Sequence, residues 1–438
     1  MKHVDVVISG GGMVGLPLGL ALAQGGFKTV VADAAPPARV LDPRFDGRVS
    51  ALAYASVRML TALGVWEGLQ PHAQPIHEIL VTDGAAGKPA SPFSLHFDAE
   101  EIGAKALGFI AENRHIRAAL HEAVAVAPNL ELAAPAAVKS VSVESGGATV
   151  TLADGEEIRC ALVIAADGRD SRLRNETGIG VIGWSYPQTG IVATVEHERP
   201  HNGVAYEHFL PSGPFAILPM TGNRSSLVWT EAKTRAPGLL ALDEAGFNDE
   251  LARRFGSHLG QTRAAGPRWS YPLSFHLARE FVRPRFALAG DCAHGIHPIA
   301  GQGLNLGLKD AAALAEVLLD AARLGRDIGA LDTLKRYERW RRFDSFTLAA
   351  STDALNRLFS NDIAPLRHIR DLGLGIVDAI GPARRFFMRH AGGDIGKLPD
   401  IGGKTEMADR PGDFSMRRVK LVDALLYRCR VAGEGGRG

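Results

Sequence analysis

The opening stretch, Val4-Asp-Val-Val-Ile-Ser9 followed by Gly10-Gly-Gly12-Met-Val-Gly15, constrains this chain more than any other. An apolar run too short for a helix ends in a G-x-G-x-x-G turn. Leu16, Leu20 and Ala23 then recur at helical steps until Gly25-Gly26 stops them. Thr29-Val-Val-Ala32 reads as a second strand closed by Asp33. Strand, glycine turn, helix, strand and acidic residue in that order form a dinucleotide-binding βαβ unit, which demands a parallel sheet. Gly10 permits the tight turn, Gly12 lets a pyrophosphate approach the backbone, and Gly15 lets the helix pack on the strand. Asp33 would accept ribose hydroxyls. This unit by itself fits NAD as well as FAD.

A second stretch repeats the logic far downstream. Phe286 to Ala289 is a short apolar run ending at Gly290-Asp291. It predicts a buried parallel strand with a carboxylate at its C-terminal end, where open α/β sheets bind ligands. After Pro298, Gly301-Gln-Gly303 opens a helix with Leu304, Leu308, Ala312, Ala315 and Leu319 at three- and four-residue steps. Backbone N–H groups at that helix start, beside the positive end of the dipole, suit an electron-rich group. Both strands need one shared sheet, so the nucleotide unit is discontinuous. A ligand reaching from Asp33 past Gly12 to Asp291 is long. FAD fits, because its ribityl hydroxyls need a carboxylate and its reduced, anionic ring gains from a helix N-terminus. NAD leaves the Gly301 turn without a purpose.

The expected architecture is α/β. A discontinuous Rossmann-like FAD-binding domain takes residues 1–71, 106–180 and 276–330. An inserted antiparallel β-sheet substrate domain takes 72–105 and 181–275, and helices follow over 331–390 with a loosely ordered tail, 391–438. Arg48-Val-Ser-Ala-Leu52 is expected to open a helix carrying Val57, Leu60 and Leu63. Ile158 to Ala165 reads as one strand ending at Asp167-Gly168. Ile191 to Glu196, Val204 to Leu210, Phe215 to Pro219 and Ser225 to Thr230 read as strands of a substrate wall. Arg224 looks exposed at a turn. Leu331 to Phe359 reads as a long helix, with another near Pro365 to Ile380. Arg384-Arg-Phe-Phe-Met-Arg389 suits an anionic membrane surface or a packed terminal helix with solvated arginines.

Composition narrows the class. Hydrophobic content of 46%, 22% charged residues and a net charge of +1 describe a soluble protein with a large core. Basic residues do not cluster with aromatics, which speaks against nucleic acid. Cys160, Cys292 and Cys429 form neither a C-x-x-C pair nor an even framework, so a reducing compartment and no metal are expected. The sequence opens on a strand pattern, so no signal peptide is expected, and no apolar run approaches the roughly 20 residues of a spanning helix. The expected location is cytoplasmic, with any membrane contact peripheral at the inner face.

Taken together, the glycine turn at Gly10, the Asp167-Gly168 element and the Gly290-Asp291 element resemble the group A flavoprotein monooxygenases, the fold of p-hydroxybenzoate hydroxylase. Phe45-Asp-Gly-Arg-Val-Ser-Ala-Leu52, Glu112-Asn-Arg114, Leu210-Pro-Ser-Gly-Pro-Phe-Ala-Ile-Leu-Pro219 and His297-Pro-Ile-Ala-Gly-Gln-Gly-Leu-Asn-Leu-Gly307 resemble, more narrowly, the ubiquinone-biosynthesis hydroxylases (the UbiH/UbiF/COQ6 family). The likeness runs from about residue 4 to about residue 390. It implies a C4a-hydroperoxyflavin, formed from reduced FAD and O2, that hydroxylates a polyprenyl phenol.

By that resemblance Gly10, Gly12, Gly15 and Asp33 hold the ADP half, and Val138 offers its backbone to adenine. Arg48 and Asn113 approach the flavin and pyrophosphate, and Asp291 takes the ribityl chain. Gly301, Gly303, Leu304 and Asn305 lie at the pyrimidine edge, and Asp167 supports its own loop. His294 and Pro298 lie near the flavin ring, His297 beside them, and Phe215, Ile217 and Pro219 face the substrate. Asp33 stands where the family often has Glu, Cys292 where it usually has Ala, and Lys309 where Arg is frequent. No second unit of strand, G-x-G-x-x-G and helix occurs, so NAD(P)H would bind transiently or a protein donor would supply electrons. A ubiquinone-biosynthesis complex and a peripheral membrane contact are the partners implied. The alternatives are a group A hydroxylase of a small soluble aromatic acid and a non-enzymatic flavoprotein subunit.

Overall fold

Both glycine turns rise from one sheet. In the computed structural model, which describes residues 1–84, 94–298 and 301–360, this sheet has six strands. Their order is Val282–Arg283, Phe286–Leu288, Leu162–Ala165, Val6–Ser9, Thr29–Ala32 and Leu130–Ala133. Neighbours run parallel except for the first pair. Four of these strands are buried along their whole length, as parallel strands covered on both faces must be. Val6 and Phe286 thus meet in one sheet across the Leu162–Ala165 strand, and the unit is discontinuous as expected. The helices Gly15–Gln24 and Gln302–Arg323 pack on each other so closely that a Cβ on Gly25 would fall 2.1 Å from Leu319.

Inserted in this unit is an eight-stranded sheet. Its order is His294–Gly295, Thr262–Ala278, Val181–His197, Arg224–Ala232, Gly213–Met220, Val204–Leu210, Glu78–Asp83 and Ser94–Asp98. It is antiparallel except where Glu78–Asp83 runs parallel to Val204–Leu210. Ala73–Ile76, expected with these strands, instead joins Val49–Ala53 and Gly108–Glu112 in a three-stranded sheet.

Two expectations are corrected here. Residues 49–53 form a strand, and the helix begins only at Tyr54. Val49-Ser-Ala-Leu-Ala53 suits either conformation, and the distant partner Gly108–Glu112 decides it. The run from Ile158 to Ala165 is two strands broken at Ala161. Glu157–Cys160 joins a four-stranded sheet with Lys2–His3, Gly147–Leu152 and Val138–Glu144, whereas Leu162–Ala165 joins the parallel one.

The faces of the large sheet matter most for function. Phe215, Ile217, Leu227 and Trp229 share a core with Phe247, Leu251 and Phe255 of the helix Glu244–Phe255. On the opposite face Met220 and Leu218 meet Ile76, Ile110, Val49 and Ala51. Helix Leu331–Phe359 closes the edge of the parallel sheet: Tyr337 Oη donates to the Leu288 carbonyl at 2.8 Å, and Glu338 accepts from the Phe281 amide at 2.8 Å. The helix expected near 365–380, the segment 384–389, the tail 391–438 and Cys429 lie outside the described residues.

Candidate functional site

The turn after Val6–Ser9 is fixed by close backbone approach. Gly10 holds φ +108°, and a Cβ there would sit 2.4 Å from the Ala166 carbonyl oxygen. A Cβ on Gly15 would sit 1.9 Å from the Gly10 oxygen, whereas one on Gly12 would meet nothing within 4 Å. Gly10 and Gly15 are therefore required by the fold, and Gly12 opens outward. Asp33 accepts from the Gly11 amide at 2.6 Å and the Ala35 amide at 2.7 Å, one on each carboxylate oxygen. Each oxygen keeps a further lone pair. The Val138 carbonyl accepts from the Arg172 guanidinium.

Arg48 and Asn113 come together where the strand Val49–Ala53 lies against Gly108–Glu112. The Asn113 amide donates to the Arg48 carbonyl at 2.9 Å, and Ser50 Oγ donates to Asn113 Oδ1 at 2.7 Å. The Arg48 guanidinium is exposed, pairs with Asp46 at 2.6 Å and lies 5.4 Å from the Trp269 ring centroid.

At the second strand end, Gly290 holds φ +71° and Asp291 is exposed, its carbonyl accepting from His276 Nε2 at 2.8 Å. Asp167, on the neighbouring strand end, has a buried Oδ1 with no partner among the described residues. Cys292 donates to the Ala165 and Ala289 carbonyls, and burial pushes its thiol pKa far up, so the thiol is inert.

Beneath this loop lies a group the sequence reading missed. Asp310 is 0% exposed. It accepts from His294 Nε2 at 2.5 Å, Arg341 Nε at 2.8 Å and the Gly290 amide at 3.0 Å. Burial by itself would raise its pKa, but the charges and hydrogen bonds of His294 and Arg341 outweigh that and hold the carboxyl below the usual range. The signal was present: Asp310 shares a helix face with Leu306, Ala313 and Val317, all buried, and a charge in such a stripe needs partners. What the sequence does not contain is the identity of Arg341, on another helix. His294 is consequently spent on Asp310 and lies beneath the site.

Asn305 is also spent on the fold. Its Oδ1 accepts from the Ala53 amide at 2.9 Å and Ser56 Oγ at 2.7 Å, and its Nδ2 donates to the Ala51 carbonyl at 3.0 Å. It pins Val49–Ala53 against the helix start, so only its backbone is left to face a ligand. Gly301 holds φ +62° with a would-be Cβ 3.0 Å from Ala51, and Gly303 faces open space. Leu304 is half-buried between them and the core. Just before this turn, His297 is 1% exposed, with neither ring nitrogen partnered among the described residues. Its ring meets the Tyr186 ring edge-on at 5.2 Å, and burial pushes its pKa down to about 4, so it is neutral near pH 7. Pro298 follows, half-buried.

The expected substrate residues are corrected. Phe215 and Ile217 are 0% and 1% exposed within the outer core, and Pro219 alternates onto the same face. The face toward the Gly301 turn carries Ala216, Leu218 and Met220. The three expected residues thus face the outer core, because a strand without a clear polar alternation does not declare its faces. Arg224 is half-buried rather than exposed, bonded to Glu112 Oε1 at 3.2 Å, with its guanidinium 5.5 Å from the Phe45 ring centroid.

Comparison with known proteins places this geometry in context. Residues 3–343 match the family model described as FAD binding domain. The chain is 50% identical over 399 residues to the ubiquinone hydroxylase UbiL of Rhodospirillum rubrum, covering 91% of this chain and 92% of the relative. It is 37% identical to the 3-demethoxyubiquinol 3-hydroxylase of Escherichia coli, covering 89% of this chain and 98% of that one. The solved p-nitrophenol 4-monooxygenase PnpA of Pseudomonas putida superposes with a TM-score of 0.74 over 91% of this chain and 100% of its own; at 20% identity this likeness speaks for the fold alone.

Proposed function

Because the chain belongs to the FAD binding domain family, and within it to the ubiquinone-biosynthesis hydroxylases, we propose that it is an FAD-dependent monooxygenase adding a hydroxyl to the ring of a polyprenyl phenol on the route to ubiquinone. The observation that carries this reading to the residues is the pairing of two open glycine turns, at Gly12 and Gly303, with the exposed Asp291 on one parallel sheet. The orphaned Asp167 oxygen beside them fits a site that expects a polar ligand.

FAD, when bound, supplies the activation of O2 and the oxygen that is transferred. The chain's own part is binding and orientation. The Gly12 backbone would take the pyrophosphate, Asp33 the ribose, with Val138 beside adenine and Arg48 and Asn113 toward the phosphates and ring. Asp291 would bind the ribityl hydroxyls, and the amides of Gly303, Leu304 and Asn305, at the helix N-terminus, the pyrimidine edge. His297 and Pro298 would border the ring. We assign residues 1–77, 106–180 and 276–330 to the FAD-binding domain and 78–105 and 181–275 to the substrate domain, the strand Ala73–Ile76 going with the sheet it pairs in. Electrons would come from NAD(P)H or a protein donor. Arg224, the cation of the central strands, is engaged by Glu112, which favours a neutral phenol over a soluble aromatic acid.

Asp291→Ala is expected to fold normally and bind FAD about 10–100-fold more weakly, the loss of charge-assisted hydrogen bonds to a ligand. Flavin content of the purified protein and a fluorescence titration check this. The functional reading itself is tested in bacterial strains each lacking one ring hydroxylase: restored ubiquinone in one strain fixes the ring position. Rescue in none, with FAD bound, sinks the reading.

A lipid substrate makes membrane contact an advantage. No helix among the described residues is long and apolar enough to span a bilayer. On the helix Leu331–Phe359, Phe343 and Phe346 are 71% and 58% exposed and share one face with the exposed Arg339 and Arg342. Large apolar groups flanked by arginines suit an anionic lipid surface, and we place peripheral contact there. Changing both phenylalanines to Ser is expected to weaken binding to phosphatidylglycerol vesicles about tenfold or more, with FAD content unchanged. Equal binding by both proteins would remove this face from the proposal.

A further inference from the structure

The strand Val204–Leu210 sends alternate residues to opposite faces of the large sheet. Tyr206 turns outward, where its ring lies 4.5 Å from His258, and His208 follows it, with Nδ1 2.6 Å from Thr82 Oγ1. Ala205, Glu207 and Phe209 therefore turn inward. Ala205 clusters with Met220, Ile110 and Ala51, and Ala51 is the residue that Gly301 abuts. Phe209 packs on Phe359 with ring centroids 4.3 Å apart. Glu207 stands between these contacts, opposite Ala216 on one neighbouring strand and Val81 on the other.

A carboxyl in that position is anomalous. No hydrogen bond or ion pair with any described residue reaches it. Its side chain is packed about by protein without being fully covered. The elements packed around it bring mainly Leu95, Phe97, Ala216, Leu218 and Phe359 to the same side. On the neighbouring strands Asp83 shares the side of Glu207 and is bonded to the Gly84 amide, whereas Glu78, His96 and Asp98 alternate onto the other face; the last turns of the long helix carry Asp353 and Arg357. Asp353 is bonded to Tyr186 and Arg357. Burial alone pushes the pKa of Glu207 up to about 7. A structural role gives no reason for an unpartnered acid on an apolar wall; a ligand that donates a hydrogen bond does.

We propose that Glu207 is the catalytic carboxylate on the substrate side, accepting the hydroxyl hydrogen of the phenol. This rests on the reading of the chain as a phenol hydroxylase. The phenolic O–H bond breaks, its proton passes to a Glu207 oxygen, and its electron pair stays on the substrate oxygen. Conjugation then enriches the ring carbons ortho and para to it, one of which receives the oxygen that reduced FAD and O2 supply. That carbon then loses its hydrogen as a proton, which leaves with the second oxygen atom of O2 as water while FAD is left oxidised; aromaticity returns, and Glu207 gives its proton back to the substrate oxygen. A base with a pKa near the working pH is suited to both transfers.

The test uses the FAD-loaded full chain and Glu207→Gln. The parent is expected to show an acidic limb near pH 7 in kcat/KM for the phenol identified by complementation. Glu207→Gln should lose that limb and about 10²–10⁴-fold in rate above it, with unchanged FAD content, while Glu207→Asp keeps the limb at a reduced rate. A second readout needs no substrate. The ordinary carboxyl ionises near pH 4.5, whereas the folded one keeps its proton to about 7, so this group's cost to stability appears as pH rises between those values and persists above them. Glu207→Gln should therefore melt higher than the parent at about pH 8, with the gap closing toward about pH 5. A Gln variant with the parent's rate and acidic limb overturns the assignment and leaves the hydroxylase reading standing. A parent chain that holds FAD but hydroxylates no phenol overturns that reading, and the assignment with it.

Discussion

Asp310→Ala should cost about 3–5 kcal/mol of folding free energy, the penalty for removing one partner of a buried ion pair. The loss would show as a lower urea midpoint with an unchanged slope. Three donors converge on this carboxylate, and Arg341 is 1% exposed, so the variant leaves a cation in the core with only the half-exposed Asp344 beside it. The effect reaches function because the Gly290 amide is one of the three donors: without Asp310, the loop that presents Asp291 loses its anchor. Flavin content should fall together with stability. A double variant, Asp310→Ala with Arg341→Met, should recover part of the stability, since it removes the stranded charge. If the double variant is as unstable as the sum of both singles, the ion pair is not the cause. The pH dependence has a definite sign. The folded pKa of Asp310 lies below its ordinary value, so its contribution is present above about pH 4 and is lost as acid titrates it through the lower folded value.

The second large effect separates two glycines of one motif. Gly15→Ala puts a Cβ 1.9 Å from the Gly10 carbonyl oxygen, and no side-chain rotation relieves a clash with backbone. The helix Gly15–Gln24 must move off the sheet, and we expect a loss of about 1–3 kcal/mol or more and a protein without FAD. Gly12→Ala meets nothing within 4 Å, so it should keep the parent's urea midpoint. Its FAD affinity should nonetheless fall, because the methyl occupies the path by which a pyrophosphate approaches the backbone. Equal flavin content in Gly12→Ala and the parent would place the pyrophosphate elsewhere. The two variants thus distinguish a glycine that the fold requires from one that the ligand requires.

How much of this was legible in the sequence follows from the range of the interactions. Val6–Ser9, Gly15–Gln24 and Thr29–Ala32 are specified by neighbours within a few residues: apolar runs, glycines at the turn, Gly25-Gly26 at the helix end. Leu331–Phe359 agrees with its predicted bounds, since helical periodicity over so many residues is a strong local signal. Even the discontinuous sheet was deducible, because Phe286–Leu288 is too apolar to lie anywhere but between two covered faces. Where local signal was weak, distant partners decided. Residues 49–53 became a strand because Gly108–Glu112 was there to pair with them.

The sequence by itself therefore determined the class of the protein, its cofactor unit and the two strand ends that frame it, since each is written in contiguous residues. Only the tertiary structure decided which side chains remain free to act. Asn305 and His294 look like site residues along the chain, yet each is consumed by contacts more than ten positions away. Phe215 and Glu207 lie on adjacent strands of one sheet, and pairing register alone sends the first into the outer core and the second to the opposite face. Hydrogen-bond partners and sheet faces are set by packing between distant segments, which one-dimensional spacing does not encode.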